Sequence, residues 1–124
     1  MKYLIDTNIL IDHFRGDKVA TEFLLQVEEG RVQASVSVIT EYELLVVPHM
    51  SPVQAREIKR LLGFMPRLAV TSRIARLAAD FRRRYQTNIA DALIAATAHA
   101  RHATLITRNL KDFRLIQGLH LHSI

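Results

Sequence analysis

The sequence predicts an α/β fold: a three-layer α/β/α domain around a short parallel sheet of four or five strands. Three observations lead there. Short apolar or β-branched bursts alternate with helical periodicities from end to end of the chain, which is the pattern of strand–helix units rather than of hairpins. Right-handed crossovers then limit the topologies open to it. The 124 residues, 49% hydrophobic and 23% charged, suit one globular domain over 1–124, with enough chain to bury most of the surface it would otherwise expose.

The elements follow in order. Residues 2–6 read as a strand that ends on Asp6. Ala20, Phe23, Leu24 and Val27 recur at helical spacing over 19–27, with Gly30 as the stop. The run VQASVSVIT, 32–40, is β-branched and apolar enough for a buried strand, with a helix starting near Thr40. Ser51-Pro52, with Gln54 three residues after the serine, opens the next helix, whose apolar stripe is Ile58, Leu61, Leu62 and Met65. RLAV, 67–70, is a short strand. The helix after it buries Ile74, Leu77, Ala78, Phe81 and Tyr85 and exposes Arg73, Arg76, Arg82, Arg83 and Arg84. IADALIAATAHA, 89–100, is apolar nearly all round, as an interior helix would be. TLIT, 104–107, and LHLHS, 119–123, supply the last strands.

Composition narrows the function classes. There is no cysteine, hence no disulfide framework and no thiolate metal site. Asp6 and Asp12 interrupt the early apolar stretch, against a secretory signal. The weakly polar 89–100 segment is too short and too polar to span a bilayer. A cytoplasmic protein is expected. The formal net charge of +5 is unevenly spread: residues 1–45 sum to −4 and residues 46–124 to +9, and thirteen of the seventeen basic residues are arginine. Arginine suits bidentate phosphate contact. An acidic cluster within a basic protein is the balance expected when cations sit in a site and a polyanion lies across it; a solvated basic surface is the plainer reading.

The acids have a pattern of their own. Asp6 stands where the first strand runs out, Glu41 and Glu43 just past the second, Asp91 at the start of the interior helix, and Asn109 and Asp112 after TLIT. The carboxyl ends of parallel strands form one rim, where ligands bind. Carboxylates gathered there repel, by about 4 kcal/mol for a pair at about 4 Å and an effective dielectric near 20, unless a cation intervenes. All-oxygen ligands select hard ions, so Mg²⁺ or Mn²⁺ is expected, and such a site can activate water against a phosphodiester. Each acid also has an ordinary reading: Thr40 and Glu43 match a capping box, Asp91 suits a helix N-terminus, and Asp112 a turn. Asp6 resists dismissal, because a carboxylate ending an interior strand needs partners. Asp12 and Asp17 read as surface or cap residues.

Four segments in this order, LIDTNILID, SVITEYELL, IADALIAATA and LITRNLKDF, resemble the PIN-domain family, and more narrowly its VapC-type toxins. The resemblance covers nearly the whole chain. It implies a metal-dependent endoribonuclease in which Asp6, Glu43 and Asp91 hold Mg²⁺ or Mn²⁺, and it selects Glu43 over Glu41. It places Asn109 and Asp112 at a fourth position, without choosing between them. It gives Thr7, Asn8 and Thr107 a part in ordering the site, and Arg108 a place beside it against the RNA backbone. It further implies an RNA substrate, a VapB-like antitoxin partner and a homodimer. Val47-Pro48 departs from the family pattern, where a glycine is frequent, and is expected to shorten or redirect the second helix.

Rival classes fare less well. A receiver-type phosphoacceptor would need paired acids after the first strand and a lysine after the last. An RNA-binding module without catalysis would have no reason to keep three acids. The only glycines, Gly16, Gly30, Gly63 and Gly118, do not form a phosphate-binding loop with Lys and Ser/Thr. Zinc binding by His99, His102, His120 and His122 would require their convergence.

Overall fold

The computed structural model describes residues 2–124. Five strands, β1 (Lys2–Ile5), β2 (Gln33–Ser37), β3 (Arg67–Leu68), β4 (Thr104–Ile106) and β5 (Leu121–His122), form an all-parallel sheet in the order β3-β2-β1-β4-β5. Seven helices cover it: α1 (Thr7–Phe14), α2 (Lys18–Glu28), α3 (Val38–Leu45), α4 (Pro52–Leu62), α5 (Ser72–Tyr85), α6 (Ile89–Ala100) and α7 (Leu110–Phe113). The expected three-layer α/β/α architecture is the one observed.

Side-chain alternation along the central strands builds the two halves of the core. Ile5 and Ile106 join Ile9, Leu24, Leu44 and Leu61 on the face covered by α1, α2, α3 and α4. Leu4 and Leu105 join Ile74, Phe81, Ile94 and Phe113 on the face covered by α5, α6 and α7. All four strand residues are fully buried, so truncating any one to alanine would cost about 2–5 kcal/mol. Helix α6 lies against α5, and its Ala95, Ala96 and Ala98 are wholly buried in the same half of the core. Thr97, also buried, donates its hydroxyl to the Leu93 carbonyl at 2.7 Å, which satisfies a polar group in an apolar helix.

Several boundaries differ from expectation. The run 32–40 is not one strand: β2 stops at Ser37, whose hydroxyl accepts the Ile39 N–H at 3.0 Å and caps α3. A capping serine here outweighs the strand preference of Val38 and Ile39. Thr40 is therefore not a cap; it lies inside α3, and the capping box expected of Thr40 and Glu43 does not form. The predicted Ser51–Gln54 capping box does form, at 3.1 and 2.9 Å. Helices α1 and α7 were not anticipated. The strands predicted at 67–70 and 119–123 shrink to two residues each. Helix α3 ends at Leu45, two residues before Val47, which Pro48 disfavours in helical conformation.

The strand order places the site. From β1 the chain builds outward through β2 and β3, then returns to add β4 and β5 on the other side. The switch point lies between β1 and β4, at their carboxyl ends. Ile5 pairs with Ile106 in register, and the Asp6 N–H continues the ladder to the Ile106 carbonyl at 2.9 Å. Asp6 and Thr107 are thus the first residues beyond the paired strands, in the crevice where parallel sheets bind ligands.

Candidate active site

Asp6 is only 5% exposed. It caps α1, its Oδ1 accepting the Thr7 N–H at 2.8 Å, while its Oδ2 accepts the Thr107 hydroxyl proton at 2.7 Å. The carboxylate is thereby fixed from two segments 101 residues apart. Thr107, wholly buried, is fixed in turn: its oxygen accepts the Asn109 N–H at 2.9 Å and the Asn8 Nδ2 at 3.5 Å. The Asn8 Oδ1 is buried without a protein partner.

Glu43 approaches from α3, which packs against both α1 and α6. Thr7 Oγ1 donates to Glu43 Oε1 at 2.6 Å. That uses the only hydroxyl proton of Thr7, so the 2.9 Å contact between the Thr7 and Thr40 hydroxyls has Thr40 as donor. A relay of two buried threonines thus orients Glu43. Glu41, by contrast, turns away to pair with Arg67 at 3.4 Å.

Asp91 lies in the first turn of α6. Asn88 caps that helix by accepting the Asp91 N–H at 2.8 Å, and its Nδ2 donates back to Asp91 Oδ2 at 3.0 Å. The helix-terminal reading of Asp91 therefore holds, and the same residue also serves the rim. Asp112, in α7, accepts the Asn109 Nδ2 at 2.6 Å.

The acids act on one another. Burial pushes the Asp6 carboxyl up from the ordinary 3.8 to about 6; Asp91 and Glu43 push it the same way, against the lowering effect of the Thr107 and Thr7 hydrogen bonds. Asp91 is also raised, chiefly by burial and then by Asp112 and Glu43, with Asn88 opposing. Carboxylates from the β1–α1 junction, α3, α6 and α7 thus share one electrostatic neighbourhood. Among the described residues, however, no three acids or histidines are drawn together into a closed ligand set. The donor set nonetheless fits a divalent ion: it is all oxygen, hence hard, and each Asp6 oxygen keeps a lone pair beyond its single hydrogen bond. Among the described residues the histidines form no group of three; His99 lies edge-on to Phe81, ring centroids 5.8 Å apart.

Arg108, expected beside the site against the RNA backbone, spends its guanidinium within the protein. Its Nη1 donates to Asp12 Oδ2 at 2.8 Å and to Asp17 Oδ2 at 2.6 Å, and its Nη2 to Asp17 Oδ1 at 3.0 Å. The fork holds Asp17 well below the ordinary carboxylate range, and the two acids raise Arg108 further still. Asp12 and Asp17, expected to be ordinary surface or cap residues, tie the turn after β4 to the end of α1 and the start of α2. Asp17 caps α2 as well, accepting the Ala20 N–H at 3.0 Å. Sequence reasoning also passed over Asn88, although its position three residues before Asp91 is cap spacing. Nothing in the sequence links Arg108 to partners more than 90 residues away.

Fold and rim together define an α/β protein with an acid site at the switch point of its sheet. The PIN domain family model matches residues 3–119. Ribonuclease VapC10 of Mycobacterium tuberculosis (strain H37Rv) is 34% identical over 121 residues, covering 94% of this chain and 89% of that protein. Ribonuclease VapC19 of the same strain is 32% identical over 124 residues, covering 94% and 95%. A toxin-antitoxin complex from Klebsiella pneumoniae contains a chain that superposes with a TM-score of 0.81 at 34% identity, covering 98% of this chain and 99% of that one. VapBC-1 from nontypeable Haemophilus influenzae gives 0.82 at 23% identity, covering 99% and 98%, a likeness of fold. The chain belongs to the PIN-domain family, in its VapC-type branch.

Proposed function

We propose that the protein is an endoribonuclease, the toxin of a toxin–antitoxin pair, cleaving RNA at the rim formed by Asp6, Glu43 and Asp91. The observation that carries this reading is the double fixing of a buried carboxylate at the switch point of the sheet, with two further acids, Asp91 and Glu43, raising its proton affinity. A protein that only bound RNA would have no use for that repulsion. PIN-domain ribonucleases are in general divalent-metal dependent, and the ion inferred here is Mg²⁺ or Mn²⁺, held by Asp6, Glu43 and Asp91. When bound, it supplies charge stabilisation at the phosphoryl group and lowers the pKa of water.

The rest of the work belongs to the chain. Thr107 and the Thr7 amide fix both oxygens of Asp6. Thr40 and Thr7 orient Glu43, and Asn88 orients Asp91. Asp112 is the fourth acid, since it acts on Asp91, and Asn109 is its orienter. Arg108 orders the site by anchoring the turn that carries Thr107 and Asn109. Such prearrangement lowers a barrier because no reorganisation is needed as charge develops.

The Klebsiella pneumoniae relative was solved as a toxin-antitoxin complex, and an antitoxin is inferred as this protein's partner. An apolar groove lined by Ile11, Phe14, Leu44, Val47, Met50 and Val53 would take an amphipathic helix from it. A homodimer and a cytoplasmic setting complete the reading. No helix among the described residues is long and apolar enough to cross a membrane. The test is incubation of the purified protein with mixed RNA in Mg²⁺, in Mn²⁺ and with chelator. Cleavage with either ion and none with chelator is expected; cleavage indifferent to chelator contradicts the mechanism.

A further inference from the structure

A second cavity opens beside the acids. It lies between the α5–α6 connection and α7, has a volume of about 440 Å³, and is lined by Tyr85, Gln86, Thr87, Lys111 and Leu115 together with Asp91 and Asp112. Its size falls within the range of small-ligand sites, and because two of the rim carboxylates line it, whatever occupies it lies next to the reacting phosphate.

We propose that this cavity is the subsite for the nucleotide flanking the scissile phosphate, with Gln86 reading the base and Lys111 holding the neighbouring phosphate. The inference rests on the ribonuclease reading above and adds to it a source of sequence preference. Leu115 is 64% exposed, an apolar surface for a base face, and the Tyr85 ring forms the adjoining wall, its hydroxyl oxygen accepting the Gln117 N–H at 3.4 Å. Gln86 is exposed, and its amide presents one acceptor and two donors, a match for a base edge in unpaired RNA. Asn88 cannot serve this role, since both ends of its amide are engaged by Asp91. Thr87, nine-tenths buried, has a hydroxyl without a protein partner. Lys111 is exposed and forms no ion pair among the described residues. Arg82 does not line the cavity but its Nη1 donates to the Thr87 carbonyl at 3.3 Å, whereas Arg83 and Arg84 turn to Asp80.

The backbone provides a clean test. Gln86 ends α5 with φ 57°, in the left-handed region. Glycine is the residue that occupies this position at least cost, so Gln86→Gly deletes the side chain without straining the fold. Wild type, Gln86→Gly and Lys111→Gln are compared on a random-sequence RNA pool, reading the bases on either side of each cut. Gln86→Gly is expected to relax the preference at one flanking position by about tenfold, the discrimination expected from one lost polar readout, through slower cleavage of the preferred sequences, while sequences with other bases at that position keep their rate within a few-fold. Lys111→Gln is expected to raise KM with kcat retained, and to reduce the salt slope of RNA binding by about 0.7, the value for one phosphate contact on a single strand. An unchanged preference in Gln86→Gly, or an unchanged KM and salt slope in Lys111→Gln, overturns the subsite. If wild type cleaves nothing in the pool, the ribonuclease reading itself has failed, which is a separate outcome.

Discussion

Asp6 shows how much one buried carboxyl controls. In the unfolded chain it ionises near 3.8 and in the folded protein near 6, so between these values the folded state holds the extra proton. The group therefore favours folding at pH below about 4, and that contribution is lost as the pH rises through 6. At 1.36 kcal/mol per pK unit, Asp6→Asn is expected to stabilise the metal-free protein by about 1–3 kcal/mol at pH 8 and to give no advantage at pH 3.5. Urea denaturation at the two pH values measures this; equal effects at both would mean that burial and repulsion at Asp6 are misjudged. The same variant should lose RNA cleavage. Thr107→Val removes the hydroxyl that fixes Asp6 Oδ2. A hydrogen bond to a charged group contributes about 1.5–3 kcal/mol, so a loss of roughly 10–100-fold in kcat is expected, with KM nearly unchanged and with Thr107→Ser restoring most of the rate.

Connections between elements carry the next level of the argument. The turn after β4 supplies Thr107 and Asn109, and its only ion pairs among the described residues are those of the Arg108 fork with Asp12 and Asp17. Arg108→Lys keeps the charge but not the bidentate geometry. It is expected to lower kcat about tenfold, and Arg108→Gln, which removes the charge, to do so while leaving the salt slope of RNA binding unchanged; a slope reduced by about 0.7 in Arg108→Gln would return Arg108 to the RNA backbone. Helices were legible where an apolar stripe ran long enough, as in α4, α5 and α6. Helix α1 was not, because its eight residues open with Thr7 and Asn8 directly after a strand, and the cap, Asp6, was already read as the strand's end. Helix α7 is four residues long and gives no period. At 32–40 the β-branched run looked like strand throughout, and the break at Ser37 depends on one hydroxyl hydrogen bond. The acids were legible because each closes or follows an apolar burst. Their orienting partners, Thr40 and Arg108, were misplaced because those contacts are set only by how α1, α2, α3 and β4 meet.

The whole molecule combines an acidic first third with a basic remainder, +9 over residues 46–124. Exposed arginines of α5 therefore share the protein with an anionic rim. RNA affinity should fall steeply with salt, since phosphate contacts release counterions, whereas occupation of the rim by a divalent ion should be governed by the carboxylates alone. The central claim is that Asp6, Glu43 and Asp91, from the end of β1, α3 and α6, form one ion site. Calorimetric titration of Mn²⁺ into wild type, Asp6→Asn, Glu43→Gln and Asp91→Asn, without RNA, tests it most directly. The account predicts saturable binding to wild type that is weakened at least tenfold, as an order-of-magnitude expectation for a lost ligand, in each variant. Binding of wild-type strength in any one of the three would contradict it.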